Sequence, residues 1–241
     1  MKHQAEPIHY NHQANRHGLE GPAIALPAAI NGLKVSSILD VGCGTGTWLA
    51  AARGLGIKDL TGLDGIIPDD GQLHIERDRL HNQDFRKQWS LERSFDLVLC
   101  LEVAEHLDPE YGRLLVDCLT RHTDFILFSA GAPFQDGDHH VNCQWPLYWQ
   151  HYFNSCGFAC SDAIRWELWN DVRVEPWYRQ NLFIACRSVD AGNEPRLKSV
   201  YHPEMIQFLV AKKLFPKQFR KLRRKSLFRT LFGKDRETET I

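Results

Sequence analysis

The sequence has no uninterrupted apolar run of about eighteen residues, which excludes a membrane-spanning helix as its organising element. It also lacks a basic start followed by an apolar core. Met1-Lys2-His3-Gln4 leads into a polar, histidine-rich stretch, so no secretory leader is expected and the chain reads as cytoplasmic. Internal repeats and low-complexity tracts are absent too. Cysteine is present without a pattern: there are seven, an odd number, and Cys43 and Cys100 fall within expected core segments. Cys156 and Cys160 form a CxxxC pair with no third cysteine where a zinc or iron–sulfur site would need one. Free, mostly buried thiols and no disulfides are therefore expected. With 241 residues and 43% hydrophobic content, the chain suffices for one good core and not for two.

Net charge is −1, yet thirteen of the 29 Lys and Arg, against four of the 30 Asp and Glu, lie between Arg196 and Ile241. An acidic body is thus followed by a basic tail. In that tail Phe208, Leu209, Val210, Leu214, Phe215, Phe219, Leu222, Leu227, Phe228, Leu231 and Phe232 recur among basic residues, the pattern of one or two basic amphipathic helices. Such a helix can rest on anionic lipid, gaining about 1 kcal/mol per basic residue. It can equally bind RNA phosphates, meet an acidic partner, or pack on its own domain.

Hydrophobic patterning organises the remainder. Ser36 to Val41 is a short apolar run ending in a glycine-rich turn, and Trp48 to Ala52 reads as a helix. Leu60 to Leu63 ends at Asp64, and a third region reaches Asp84-Phe85. Phe95 to Leu101 is nearly continuous in apolar residues, as a strand covered on both faces should be. Glu102 to His106 then opens a helix, and Tyr111 to Leu119 continues at helical spacing. Phe125 to Phe128 is the next strand, and Trp145 to Phe153 is aromatic and helical. Phe158 to Ile164 and Asn181 to Cys186 close the sheet as an antiparallel pair. Strands alternating with helices imply an α/β, Rossmann-like, doubly wound and mostly parallel sheet. The expected organisation is a leader and possible lid over 1–30, an α/β domain over 31–190 and a basic helical tail over 191–241. The leader's His9-Tyr10-Asn11-His12 and Arg16-His17-Gly18 are candidates for the lid.

The most specific motif is Asp40-Val41-Gly42-Cys43-Gly44-Thr45-Gly46, a DxGxGxG loop at the end of the first strand. It lacks the GxGxxG spacing of a pyrophosphate-binding loop. Asp64, ending the second strand, and Asp84, ending the third, complete a series of acidic side chains at successive strand ends behind it. These residues, with Phe95 to Leu107, resemble the class I S-adenosylmethionine-dependent methyltransferases. Phe128-Ser129-Ala130, His140-Val141-Asn142, Gln144-Trp145-Pro146, Tyr148-Trp149 and Trp177 to Leu182 resemble one bacterial branch often linked with glycan and cell-envelope biosynthesis. Where such relatives commonly carry Glu after Val-Asn, this chain has Cys143.

The resemblance implies that S-adenosyl-L-methionine is the cofactor. Gly42, Cys43, Gly44, Thr45 and Gly46 would let backbone approach its methionine part, and Asp40 would accept from its amino group. Asp64 would take both ribose hydroxyls. Asp84 would accept from the adenine amino group, Phe85 would lie against the ring, and Leu101 and Glu102 would complete the site.

Methyl transfer from a sulfonium is an in-line displacement, so a base near the sulfonium is the feature to find for a hydroxyl acceptor. His140, on the loop Gly131 to Gln144, is the favoured base or acceptor-positioning residue, with His106 and Glu105 beside it. Arg179 is a candidate to steer an anionic acceptor. The expected reaction is methylation of a hydroxyl or amine on a small molecule or glycan. In that reading the 196–241 tail rests on an anionic membrane surface.

The alternative is a metal-dependent RNA 2′-O-methyltransferase. Glu102, Glu105 and His106 with the downstream His140 resemble the metal site of small-RNA 3′-terminal methyltransferases and would hold a divalent ion. It is not favoured, because two histidines suit a transition metal better than Mg²⁺ and the acidic body repels RNA. A further alternative is a cofactor-binding scaffold without turnover, against which the intact acidic series speaks.

Overall fold

The computed structural model of the chain describes residue 10 and residues 18–214. Seven strands form one sheet in the order β3-β2-β1-β4-β5-β7-β6. They are β1 (Ser37–Val41), β2 (Asp59–Asp64), β3 (Leu80–Asn82), β4 (Leu97–Leu101), β5 (Phe125–Ser129), β6 (Phe158–Ser161) and β7 (Phe183–Arg187). The pairings from β3 through β5 are parallel, whereas β7 runs antiparallel to both β5 and β6. The expected fold class is the one observed.

The strand sequences explain why both faces are covered. Side chains of a strand alternate between faces. Leu39 and Val41 of β1, Val98 and Cys100 of β4, and Ile126 and Phe128 of β5 enter one core. Ile38, Leu97, Leu99 and Leu127 enter the other. On the first face lie α3 (Pro109–Thr120) and α4 (Pro146–Ser155). Helix α3 buries Gly112, Leu115, Val116 and Leu119, one helical stripe, and starts with Pro109 where the missing N–H costs nothing. In α4, Trp149 and Phe153 turn into the core while Tyr148 and Tyr152 stay at its edge, the Tyr152 hydroxyl donating to that of Tyr148 at 3.1 Å.

The second face carries α1 (Glu20–Ala29), α2 (Thr47–Gly54), α5 (Ala163–Leu168) and α6 (Pro176–Asn181). Helix α1 lies in the stretch read from sequence as leader, yet its Ala25 and Leu26 are fully buried. Its apolar periodicity is blunted by Pro22 and Pro27, which hid it.

Local differences from the sequence reading have simple causes. After β4 the backbone makes one 3-10 turn at Ala104–His106 instead of opening a helix, and α3 waits for Pro109. Ile164 is helical, because the chain leaves β6 at Ser161 and Asp162 accepts back onto Arg165. Asn181 ends α6 and does not begin β7. Asp84 lies two residues past the end of β3.

All seven cysteines are unpaired. Among the described residues no helix is long and apolar enough to cross a membrane. The compact body ends at His202, and α7 (Pro203–Leu214) is a separate unit. The tail from 215 to 241 lies outside the described residues.

Candidate active site

Strand order reverses between β1 and β4, and in such sheets ligands bind at the carboxyl ends on either side of the reversal. The glycine loop leaves β1 at this point. Its glycines all have positive φ: 79° at Gly42, 52° at Gly44 and 79° at Gly46. A Cβ at Gly42 would lie 2.2 Å from Val103 Cγ2, and one at Gly46 would lie 2.6 Å from Ile75 Cγ2. Conformation and crowding therefore both require glycine.

The loop is wired to the end of β2. The Gly42 and Cys43 N–H groups donate to the Leu63 carbonyl at 2.7 and 3.0 Å. The Gly44 N–H donates to Asp64 Oδ2 at 2.8 Å, and Ile66 N–H donates to Oδ1 at 2.8 Å. Cys43 and Thr45 are buried, and Thr45 Oγ1 has no hydrogen-bond partner.

Asp40 is only 2% exposed, and its Oδ2 is buried without a hydrogen-bond partner. Burial, then the Asp64 charge, push its carboxyl up to about 8. A buried carboxylate oxygen that the protein leaves unsatisfied is costly unless a ligand donates to it.

Asp84 contrasts with it. Its carboxylate pairs with Arg86 at 2.9 Å and Lys87 at 3.5 Å, and the Arg86 hydrogen bond is the main force holding it down at about 2. The Phe85 ring belongs to the core, tilted against Trp89 at 6.3 Å. Leu101, at the end of β4, is buried.

Beyond Leu101 the chain is strained and polar. Glu102 has φ of 55°, a left-handed conformation uncommon outside glycine. Its backbone N–H donates to Ser129 O and Oγ at 3.0 and 3.1 Å. Gln135 Nε2 donates to Glu102 Oε2 at 2.6 Å, and Asn181 Nδ2 donates to Oε1 at 3.0 Å. Asn181 also donates to Gln135 Oε1 at 2.8 Å, closing a triangle. Sequence reading missed Gln135 and Asn181 as site residues. An amide on a loop and one at a helix end carry no local signal, and only the fold brings them to Glu102.

Glu105 is fully buried, with neither carboxylate oxygen hydrogen-bonded. Its backbone carbonyl accepts from Val141 and Asn142 at 2.9 and 3.0 Å, which pins the 131–144 loop over it. Burial, then the Glu102 charge, raise its carboxyl above the ordinary range.

The His106 ring meets His140 edge-on with centroids 4.9 Å apart, and its Nδ1 is buried without a partner. Burial, then His140, push it down to about 4. His140 Nδ1 lies 3.1 Å from the Gln135 carbonyl, to which it donates, leaving Nε2 as the acceptor. Burial lowers His140 as well. A Cβ at Gly137 would lie 1.9 Å from that Nε2, so glycine lets the loop close on the ring. Glu105, His106 and His140 each offer a ligating atom, all within 4.8 Å of one another. Glu102 lies outside this set.

Tyr10, from the stretch read as a possible lid, stacks edge-on against His106 at 5.3 Å. Burial, then the charges of Glu105 and Asp64, raise its hydroxyl to about 12. Arg179 is 2% exposed and donates to the Trp169 carbonyl at 3.3 Å. It is an internal strut, and steering an acceptor from solvent is not open to it.

Residues 10–124 match the family described as a methyltransferase domain. No curated protein matches. Among solved structures, the sugar N-methyltransferase KedS8 from Streptoalloteichus sp ATCC 53650 superposes with a TM-score of 0.56 at 15% identity, over 78% of this chain and 99% of that one. The amino pentose methyltransferase CalS10 from Micromonospora echinaspora gives 0.51 at 17% identity, over 76% and 99%. The methyltransferase domain of bacterial CtHen1-C gives 0.52 at 15% identity, over 71% and 100%. At such identities the structural likeness speaks to the fold.

Proposed function

We propose that this S-adenosylmethionine-dependent methyltransferase of class I fold methylates a hydroxyl or amine of a small sugar or glycan. The observation that carries the reading is the pairing of two unsatisfied groups across the β1/β4 crevice: the bare Asp40 Oδ2 beside the glycine loop, and the bare Glu105 carboxyl beside two facing histidines.

The first group fits the cofactor. Asp40 would accept from its amino group, the Gly42–Gly46 loop would admit its methionine part, and Asp64 would hold the ribose hydroxyls with the lone pairs its two backbone donors leave free. Leu101 and Glu102 border that site. Asp84, already paired with Arg86, would contribute its remaining acceptor capacity at the adenine, with Phe85 supplying an apolar floor. The cofactor supplies an electrophilic methyl on sulfonium.

The second group faces the acceptor. His140 Nε2 takes the acceptor proton, while Nδ1–H stays on the Gln135 carbonyl and fixes the ring. His106 backs that ring, and the Glu105 carboxyl beside both histidines meets a polar group of the acceptor. Tyr10 covers the junction and excludes water. Sugar acceptors are favoured by the resemblance of the His140–Asn142 and Trp177–Leu182 motifs to a glycan-linked branch, and by the sugar methyltransferases among the fold's neighbours.

The test is calorimetric titration with S-adenosylhomocysteine, followed by turnover on a panel of methyl glycosides and amino sugars. Micromolar product binding with turnover of a panel member is expected. Binding without turnover of any sugar would sink the acceptor class, and no binding would sink the cofactor site.

A second reading has one observation in its favour, the closeness of the Glu105, His106 and His140 ligating atoms. These residues fit a divalent transition metal holding a ribose hydroxyl. Metal content of the purified protein, and RNA 2′-O-methylation that chelator abolishes, would decide for it. The basic 196–241 segment is proposed to rest on anionic membrane; unchanged liposome co-sedimentation after its deletion would refute that.

A further inference from the structure

Phe134 is 78% exposed and holds a backbone φ of 71°, a left-handed conformation that a bulky side chain rarely adopts. The cause is local. Gln135 N–H donates to the Ala132 carbonyl at 2.9 Å, closing a tight turn with Pro133 at its second position and Phe134 at its third. Proline suits the second position; a third position of positive φ calls for glycine or asparagine.

The turn sends consecutive side chains in opposite directions. Gln135 goes inward, 8% exposed, to Glu102 and Asn181, while Phe134 goes outward. Aiming Gln135 explains the turn but not the phenylalanine, since glycine would aim it at less strain. The exposed ring gains no burial in the free protein.

Its position suggests what it gains. Phe134 lies on the loop that carries His140, five residues after Gln135. At the far side of that stretch Val141 is 43% exposed while its N–H is bound to the Glu105 carbonyl. Two exposed apolar side chains thus bracket the segment bearing Gln135 and His140, at the edge of the sheet where transfer takes place.

We infer that Phe134 is the acceptor-contact residue, its ring forming an apolar platform for the C–H face of the sugar whose hydroxyl or amine is methylated. The inference rests on the sugar reading above and adds a specificity-determining residue to it. An aromatic face offers a large apolar area at the cost of few rotatable bonds, which suits an acceptor that must be oriented and then released.

The experiment compares full-length wild type with Phe134→Ala, Phe134→Gly and Phe134→Tyr on the methyl glycoside and amino sugar panel, reading S-adenosylhomocysteine release. Removing the ring is expected to raise the acceptor KM about ten-fold, with kcat and cofactor-product affinity nearly unchanged, and tyrosine is expected to restore it. Phe134→Gly should also raise Tm by a few degrees through relieved strain. Turnover with an unchanged KM in Phe134→Ala would overturn the platform alone. No turnover of any sugar by the wild type would overturn the sugar reading and this occupant with it. A lowered Tm in Phe134→Gly would mean the ring packs on the protein and would overturn the inference.

Discussion

The two ends of the sheet treat their carboxylates in opposite ways. At the amino edge, Asp96 precedes β4 and receives the N–H and hydroxyl groups of Ser36 and Ser37 on a single oxygen, at 2.7 to 3.1 Å. The Ser36 hydroxyl above all holds its carboxyl below the usual range. At the carboxyl edge, Asp40 on β1 and Glu105 after β4 are buried with bare oxygens, and burial drives both upward. Of the four non-glycine residues with positive φ among the described residues, Glu102, Phe134 and His139 lie at the carboxyl edge, and Glu92 lies on the segment leading into β4. At the amino edge the Asp96 carboxylate is satisfied and serves stability. At the carboxyl edge Asp40 and Glu105 keep bare oxygens, Glu105 close in sequence to the strained Glu102, as a site prepared for ligands does.

That contrast can be broken by substitution. The largest effect is expected from His140→Ala, which should lower the methyl-transfer rate by about 10²- to 10⁴-fold while leaving cofactor-product affinity intact. Single-turnover kinetics would check it, and an undiminished rate would remove His140 from the chemistry. Next, Asp64→Ala should weaken S-adenosylhomocysteine binding by about 100-fold, on the order of two charge-assisted hydrogen bonds. Calorimetry reads this directly, and unchanged affinity would show that Asp64 only braces the glycine loop.

Acid and alkali should separate the two edges. Asp40 is raised from 3.8 to about 8, so the native state binds the proton more tightly and stability falls as pH rises between those values. Asp40→Asn should flatten that fall. Asp96 is lowered, so its contribution is present above the ordinary carboxylate range and disappears as pH drops through its native value. Asp96→Asn should flatten the acid limb. Denaturant midpoints across pH would check both slopes, and equal slopes in all three proteins would refute the division. The smallest effect is the stability cost of Asp96→Ala at neutral pH, about 1 kcal/mol for an exposed but well-bonded carboxylate, with no change in cofactor-product affinity.

Much of the carboxyl edge was legible because its motif is local. Gly42, Gly44 and Gly46 stand where a chain leaving a strand must turn tightly, and Asp40 and Asp64 stand at strand ends. The 131–144 loop was legible only as a place. His140 could be named, but its fixed tautomer depends on the Gln135 carbonyl, and Gln135 depends on a strained turn that Phe134 gives no hint of. Arg179 shows the converse. Its charge suggested a ligand contact, while the fold buries it against the Trp169 carbonyl.

The sequence by itself determined the alternation of strands and helices, the two-faced core and the glycine loop, because each follows from the spacing of apolar residues or from the φ that only glycine adopts readily. Tertiary structure alone decided which polar side chains stay unsatisfied. Asp40 and Asp96 are the same residue type at opposite ends of neighbouring strands. Their difference arises from what chains distant in sequence bring to them, two serines in one case and no donor for Asp40 Oδ2 in the other.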